Sequence, residues 1–181
     1  MRPRARIGLS AAALAALCLA GVAAPRAAYA ATVSVVPADT TVSPGVVFQL
    51  RVVVSAISDL KAFDVIHAYD PARLQFQGAS AGDVFGGGPQ ALFVTPDAAP
   101  ADSAWVDGAR LIGSGAGPGI LCFLTFKALS LGSSPIDCRL ADLRDSQNVP
   151  AAPVCVPGVV RIAGPTPVLR TSWGGLKLHP R

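Results

Sequence analysis

The chain has 181 residues, 51% of them hydrophobic and 14% charged, with 15 Lys and Arg against 11 acidic residues, every one an Asp. Arg2, Arg4, Arg6 and Arg26 all fall in the first thirty positions, so the rest of the chain is balanced at eleven basic against eleven acidic residues. That balance argues against a nucleic-acid surface, which needs clustered Lys and Arg, and leaves enough chain for one domain with its own core.

Residues 1–30 read as an export signal. Three arginines precede the apolar run Ile7 to Ala24, and after Pro25 the triplet Ala28-Tyr29-Ala30 offers small residues at the exit, with cleavage expected before Ala31. Eighteen apolar residues is the short end for a membrane span. An Ala-rich run at the N-terminus with an exit site reads as removed rather than anchored. Leu17 before Cys18 does not suit lipidation, and Arg2-Pro3-Arg4 lacks the paired arginines of a twin-arginine signal. The expected location is extracellular or periplasmic, with no membrane span after cleavage.

The mature stretch is rich in Val, Ala, Gly and Pro, and Asp replaces the better helix former Glu throughout, which favours short strands and tight turns. Strands are expected at Thr32 to Val36, Val46 to Val54, Leu60 to Tyr69, Leu74 to Gln77 and Ala91 to Val94. Alternation along Leu60 to Tyr69 puts Phe63, Val65, His67 and Tyr69 on one side and Ala62, Asp64, Ile66 and Ala68 on the other. Next come Ser103 to Val106 and Ala109 to Gly113, joined as a hairpin at Asp107-Gly108. Ile120 to Leu129, Ser134 to Leu140 and Val154 to Ile162 complete the set. The expectation is an all-β, antiparallel jelly-roll sandwich of about nine strands over residues 31–162. Residues 163–181 read as a Pro/Gly linker and short tail, with Trp173 as a candidate recognition anchor.

Cys122, Cys138 and Cys155 remain after signal removal. Cys138 and Cys155 lie on neighbouring candidate strands and are expected to pair; Cys122, in phase with Leu124 and Phe126, reads as a buried thiol. Without C-x-x-C spacing a zinc site is not indicated. Asp142 and Asp145 near a loop are a calcium candidate that lacks EF-hand spacing, so neither a metal nor a cofactor is expected.

The order of motifs carries a resemblance. Val33-Ser34-Val35, Ser43-Pro44-Gly45, Phe63-Asp64-Val65 and Tyr69-Asp70-Pro71 with Leu74-Gln75-Phe76 are followed by Ala81-Gly82-Asp83-Val84-Phe85, Leu124-Thr125-Phe126-Lys127 and Gly158-Val159-Val160. This succession, over roughly residues 32–162, resembles a cohesin domain or a cohesin-like member of the wider cellulose-binding-module sandwich superfamily. The resemblance implies a nine-stranded jelly roll that docks dockerin modules of polysaccharide-degrading enzymes. Asp64 then matches an aspartate used in dockerin recognition, while Ala62 stands where those cohesins often carry Asn.

The residue types argue against an enzyme. There is no H-x-x-x-H pair, and the aspartates are scattered through turns. The leading expectation is a binding module that docks a dockerin-like or other secreted protein through Ala62, Asp64, Ile66 and Ala68. The alternatives are a polysaccharide stacked on Trp105, and a structural or adhesive role at the cell surface.

Overall fold

The computed structural model describes residues 31–86, 91–97 and 99–164. The expected signal at 1–30, and the tail with Trp173, lie outside the described residues. Every regular element among those described is a strand: β1 (Thr32–Val36), β2 (Asp39–Val42), β3 (Val47–Val54), β4 (Ala62–Ala68), β5 (Leu74–Ala81), β6 (Ala91–Val94), β7 (Ser103–Arg110), β8 (Gly119–Ala128), β9 (Gly132–Arg144), β10 (Pro150–Ala151), β11 (Val154–Val156) and β12 (Gly158–Ile162).

Two sheets form a sandwich. One runs β11-β1-β3-β8-β5 and the other β2-β12-β9-β4-β7-β6, with β10 added to β9. The all-β sandwich is as expected, but the strands number twelve rather than nine, and the sheets are mixed rather than purely antiparallel. Both differences arise at the chain ends. The N-terminal stretch passes from β1 in one sheet to β2 in the other at Pro37-Ala38, and the C-terminal stretch passes from β11 to β12 at Pro157. The two stretches run side by side, so β1–β11 and β2–β12 are both parallel pairs. Proline has no N–H to give a ladder, so it marks the point where each stretch leaves its first sheet.

The expected hairpin at Asp107-Gly108 is absent; both residues lie inside the continuous strand β7. Gly108 stands opposite Phe63, and a Cβ there would sit 2.3 Å from the Phe63 ring. The glycine therefore makes room for a core aromatic instead of turning the chain, and Asp107 faces outward.

The core lies between the sheets, where burial of apolar surface supplies the main driving force. At its centre the Phe126 ring meets Tyr69 at 5.2 Å, Phe76 at 5.5 Å and Phe48 at 6.1 Å, and nearby Phe63 stacks on Phe85. Tyr69 packs here while its hydroxyl donates to the carbonyl of Ala101, and the Asp70 carboxylate accepts from the Ala72 N–H to fix the following turn. Cys122 is fully buried and unbridged, and burial pushes its thiol up to about 12. Cys138 on β9 is bridged to Cys155 on β11, so the disulfide staples one sheet to the other.

A bulge in β9 positions everything that follows. Ile66 pairs with Leu140 and His67 with Cys138, leaving Arg139 as an extra residue. Before the bulge Ser134 and Ile136 point inward; after it Leu143 does, and Leu140, Asp142 and Arg144 point out.

Candidate docking face

The strand β4 splits its residues as its alternation predicts. Phe63, Val65 and His67 are buried between the sheets, while Ala62, Asp64 and Ile66 are half-buried on the outside. With β4 central, the registers on either side assemble three rows across the outer face of β9-β4-β7-β6. Leu140, Ile66 and Trp105 form the first; Asp142, Asp64, Asp107 and Val94 the second; Arg144, Ala62, Ala109 and Leu92 the third. At ~4.8 Å between strands, the three carboxylates of the middle row span ~10 Å.

The predicted patch ends short of Ala68, which is only 8% exposed. Arg139, the bulged residue of β9, donates to both Asp102 carboxylate oxygens and to the Ser103 hydroxyl on β7. Its guanidinium therefore crosses β4 at Ala68, which pairs with Ser103. The small side chain leaves room for that crossing and is covered by it. In its place the face gains Asp107, Asp142, Arg144, Leu92 and Val94, which sequence reasoning did not assign to it.

Three like charges in cross-strand register oppose one another, and their hydrogen bonds show how the strain is shared. The Trp105 indole N–H donates to Asp64 Oδ1 at 2.9 Å and to Asp107 Oδ1 at 3.1 Å. Arg144 pairs with Asp142 at 2.8 Å. Among the described residues no Lys or Arg forms an ion pair with Asp64 or Asp107. Burial first, then the Asp107 charge and a hydrogen bond with it, push the Asp64 carboxyl from 3.8 up to about 6, against the opposing pull of the indole. One carboxyl of the pair thus takes up a proton as pH falls through about 6.

Around the acidic row the surface is apolar. Leu92 and Val94 on the edge strand β6 are 51% and 52% exposed, and Leu140 is 38% exposed. An open groove of about 270 Å³ runs between the third row and the middle one, lined by Ala62, Asp64, Asp107, Leu92, Val94 and Arg144. Trp105 is half-buried, is the one aromatic residue of the three rows, and has its N–H committed to the carboxylates. The two halves of the calcium candidate are committed separately: Asp142 to Arg144, and Asp145 to the backbone N–H groups of Gln147 and Val149 in a turn. Among the described residues no group of three acidic, imidazole or thiol side chains is arranged to hold a metal.

No family model matches the chain, and no curated protein matches it. Solved structures do. A non-cellulosomal cohesin from the hyperthermophilic archaeon Archaeoglobus fulgidus is similar at a TM-score of 0.61 and 17% identity, over 74% of this chain and 91% of that one. The sixth cohesin of scaffoldin B from Acetivibrio cellulolyticus, solved with a Cel5 dockerin mutant, has a TM-score of 0.60 and 17% identity over 74% and 99%. A type I cohesin–dockerin complex from Clostridium thermocellum gives 0.63 and 17% over the same shares. The sandwich is a cohesin-like fold.

Proposed function

We propose that this chain is an exported, non-catalytic docking module that receives a protein partner on the outer face of β9-β4-β7-β6. The observation that carries the reading is the three-row face itself. It combines a half-buried acidic row with exposed aliphatic residues on both sides, the mixture of apolar contact and a few oriented polar groups that suits protein interfaces. The fold supports a protein as the partner, because cohesins of the same fold have been solved in complex with dockerins. A dockerin-like or other secreted protein is the partner class, and a tie to polysaccharide degradation follows if that partner belongs to a hydrolase.

A docking role also fits the poverty of catalytic groups. His67 is buried on the opposite side of β4 from Asp64, with both ring nitrogens unpartnered, so it serves neither carboxylate as a base. Export rests on the reading of residues 1–30 as a signal and is supported by the inter-sheet disulfide, which persists in oxidising compartments.

The test is recovery of proteins from the culture fluid of the source organism on the immobilised chain, with Val94→Arg as the paired control. At least one protein is expected on the wild type and not on the variant; identical recovery on both removes the face from the proposal. Affinity electrophoresis through cellulose, xylan and chitin tests the sugar alternative. Retardation that Trp105→Ala abolishes would replace docking with carbohydrate binding.

A further inference from the structure

Resting on that docking reading, we infer that the gap between Asp64 and Asp107 takes one basic side chain, a lysine ammonium or an arginine guanidinium, from a partner whose neighbouring aliphatic residues cover Leu92 and Val94. The first support is charge. Asp64 and Asp107 stand directly opposite each other on β4 and β7 and share a single indole N–H. Like charges in that register oppose folding, and a cation seated between them relieves the repulsion on binding. Partner charge then recovers what the sheet gives up.

The second support is where the surrounding cations lie. Arg144 neutralises the Asp142 end of the row. Lys61, which precedes β4, has its ammonium held by the carbonyls of Leu111 and Gly113. From β6, the described residues on this face are Leu92 and Val94. The unbalanced charge therefore sits at Asp64–Asp107, beside the aliphatic edge, and Arg144 repels a second cation placed over Asp142. One basic residue next to aliphatic ones matches that arrangement; a polybasic stretch does not.

The third support concerns pH. The groups facing Asp64 are Asp107 and Trp105 from β7 and Asp142 and Arg144 from β9, with Ala62 and Ile66 beside it on β4. Of these the carboxylates raise its proton affinity and the indole lowers it. Once Asp64 is protonated the pair carries one charge fewer, so a cationic ligand is released as pH falls through about 6.

The experiment selects ligands from a displayed library of random peptides on the immobilised full chain at pH 7.5. Recovered peptides are expected to share one Lys or Arg beside aliphatic residues. Replacing that Lys by norleucine, or Arg by citrulline, should weaken binding at least about tenfold, and so should Asp64→Asn. Affinity should also fall several-fold between pH 7.5 and 5, and fall with added salt. Asp64→Asn should melt no lower than the wild type, which separates lost binding from lost folding. Peptides that lack a basic residue, or that bind Asp64→Asn undiminished, overturn this inference; if Val94→Arg still abolishes their binding, the docking face survives. Recovery of no peptide, or only of peptides indifferent to Val94→Arg, overturns both.

Discussion

The two sheets turn very different surfaces to solvent. On the outside of β3, β8 and β5, Gln49 pairs with Thr125, Phe123 pairs with Arg51 on one side and Ser80 on the other, and Lys127 likewise with Val47 and Gln75. Its cations are two rows apart and never opposite a like charge, and the Gln49 amide donates to the Thr125 hydroxyl at 3.2 Å. On the outside of β9, β4 and β7, three carboxylates occupy one row. The first surface is what stability alone would keep, since favourable cross-strand pairs contribute and opposed like charges detract. The second gives up stability, and sites that do so are where function is retained against the fold's interest.

The most severe challenge to this contrast comes from acid. His67 is buried without a hydrogen-bond partner, and burial lowers its pKa from 6.5 to about 4. A group whose folded pKa is depressed stabilises the fold above its unfolded pKa, and that contribution is lost as pH falls towards the folded value. Between pH 6.5 and 4 the loss is roughly 3 kcal/mol. Denaturant melts across that range should show the decline, and His67→Leu should remove most of it. Asp64 works with the opposite sign. Its raised pKa means its penalty is absent below 3.8 and grows as pH rises through about 6. In the His67→Leu background, acidification from pH 7 to 5 should therefore stabilise the protein slightly; a flat profile would show that the acidic row costs nothing.

A comparable loss is expected from the staple. Its two cysteines are 17 positions apart, and a loop of that size corresponds to about 3 kcal/mol in Cys138→Ser/Cys155→Ser. Because the bridge lies off the acidic row, with Cys138 opposite His67, chemical denaturation should lose this amount while peptide binding at the face persists. If binding fails with it, the acidic row depends on sheet-to-sheet alignment more than the registers imply.

Smaller effects separate the two surfaces directly. Asp64→Asn should raise the melting temperature at pH 7.5 and leave it unchanged below pH 4. Gln49→Ala, on the contrasting surface, should cost no more than about 0.5 kcal/mol at any pH. A destabilised Asp64→Asn would mean that the indole bond outweighs the repulsion, and the contrast would fail.

Much of this architecture was legible in the sequence, for reasons that also explain what was not. Long alternating runs such as Val47–Val54 and Ala62–Ala68 announce themselves through period two. Asp39–Val42 and Pro150–Ala151 do not, being short and polar or proline-bearing, and stabilised only by partners distant in sequence. Val154 to Ile162 reads as one strand because nothing local says that Pro157 sends its two halves to different sheets. Asp64 could be chosen from the sequence alone. Asp107 was hidden by a dipeptide that normally turns, and Asp142 by its closeness to a loop. Only register places the three side by side, and register is a property of the whole sheet.

That dependence gives the single extra residue in β9 an unusual weight. Losing Arg139 would merely close the bulge and keep Leu140 opposite Ile66, but if Arg139 stayed and paired with Ile66 in place of bulging, each residue from Leu140 to Arg144 would trade inside for outside. Asp142 and Arg144 would turn towards the core, and Leu143 would turn out to water. The face is thus written in a reading frame that the bulge protects: a residue inserted in β9 is harmless while the bulge absorbs it, and the same sandwich would show a different surface if it did not.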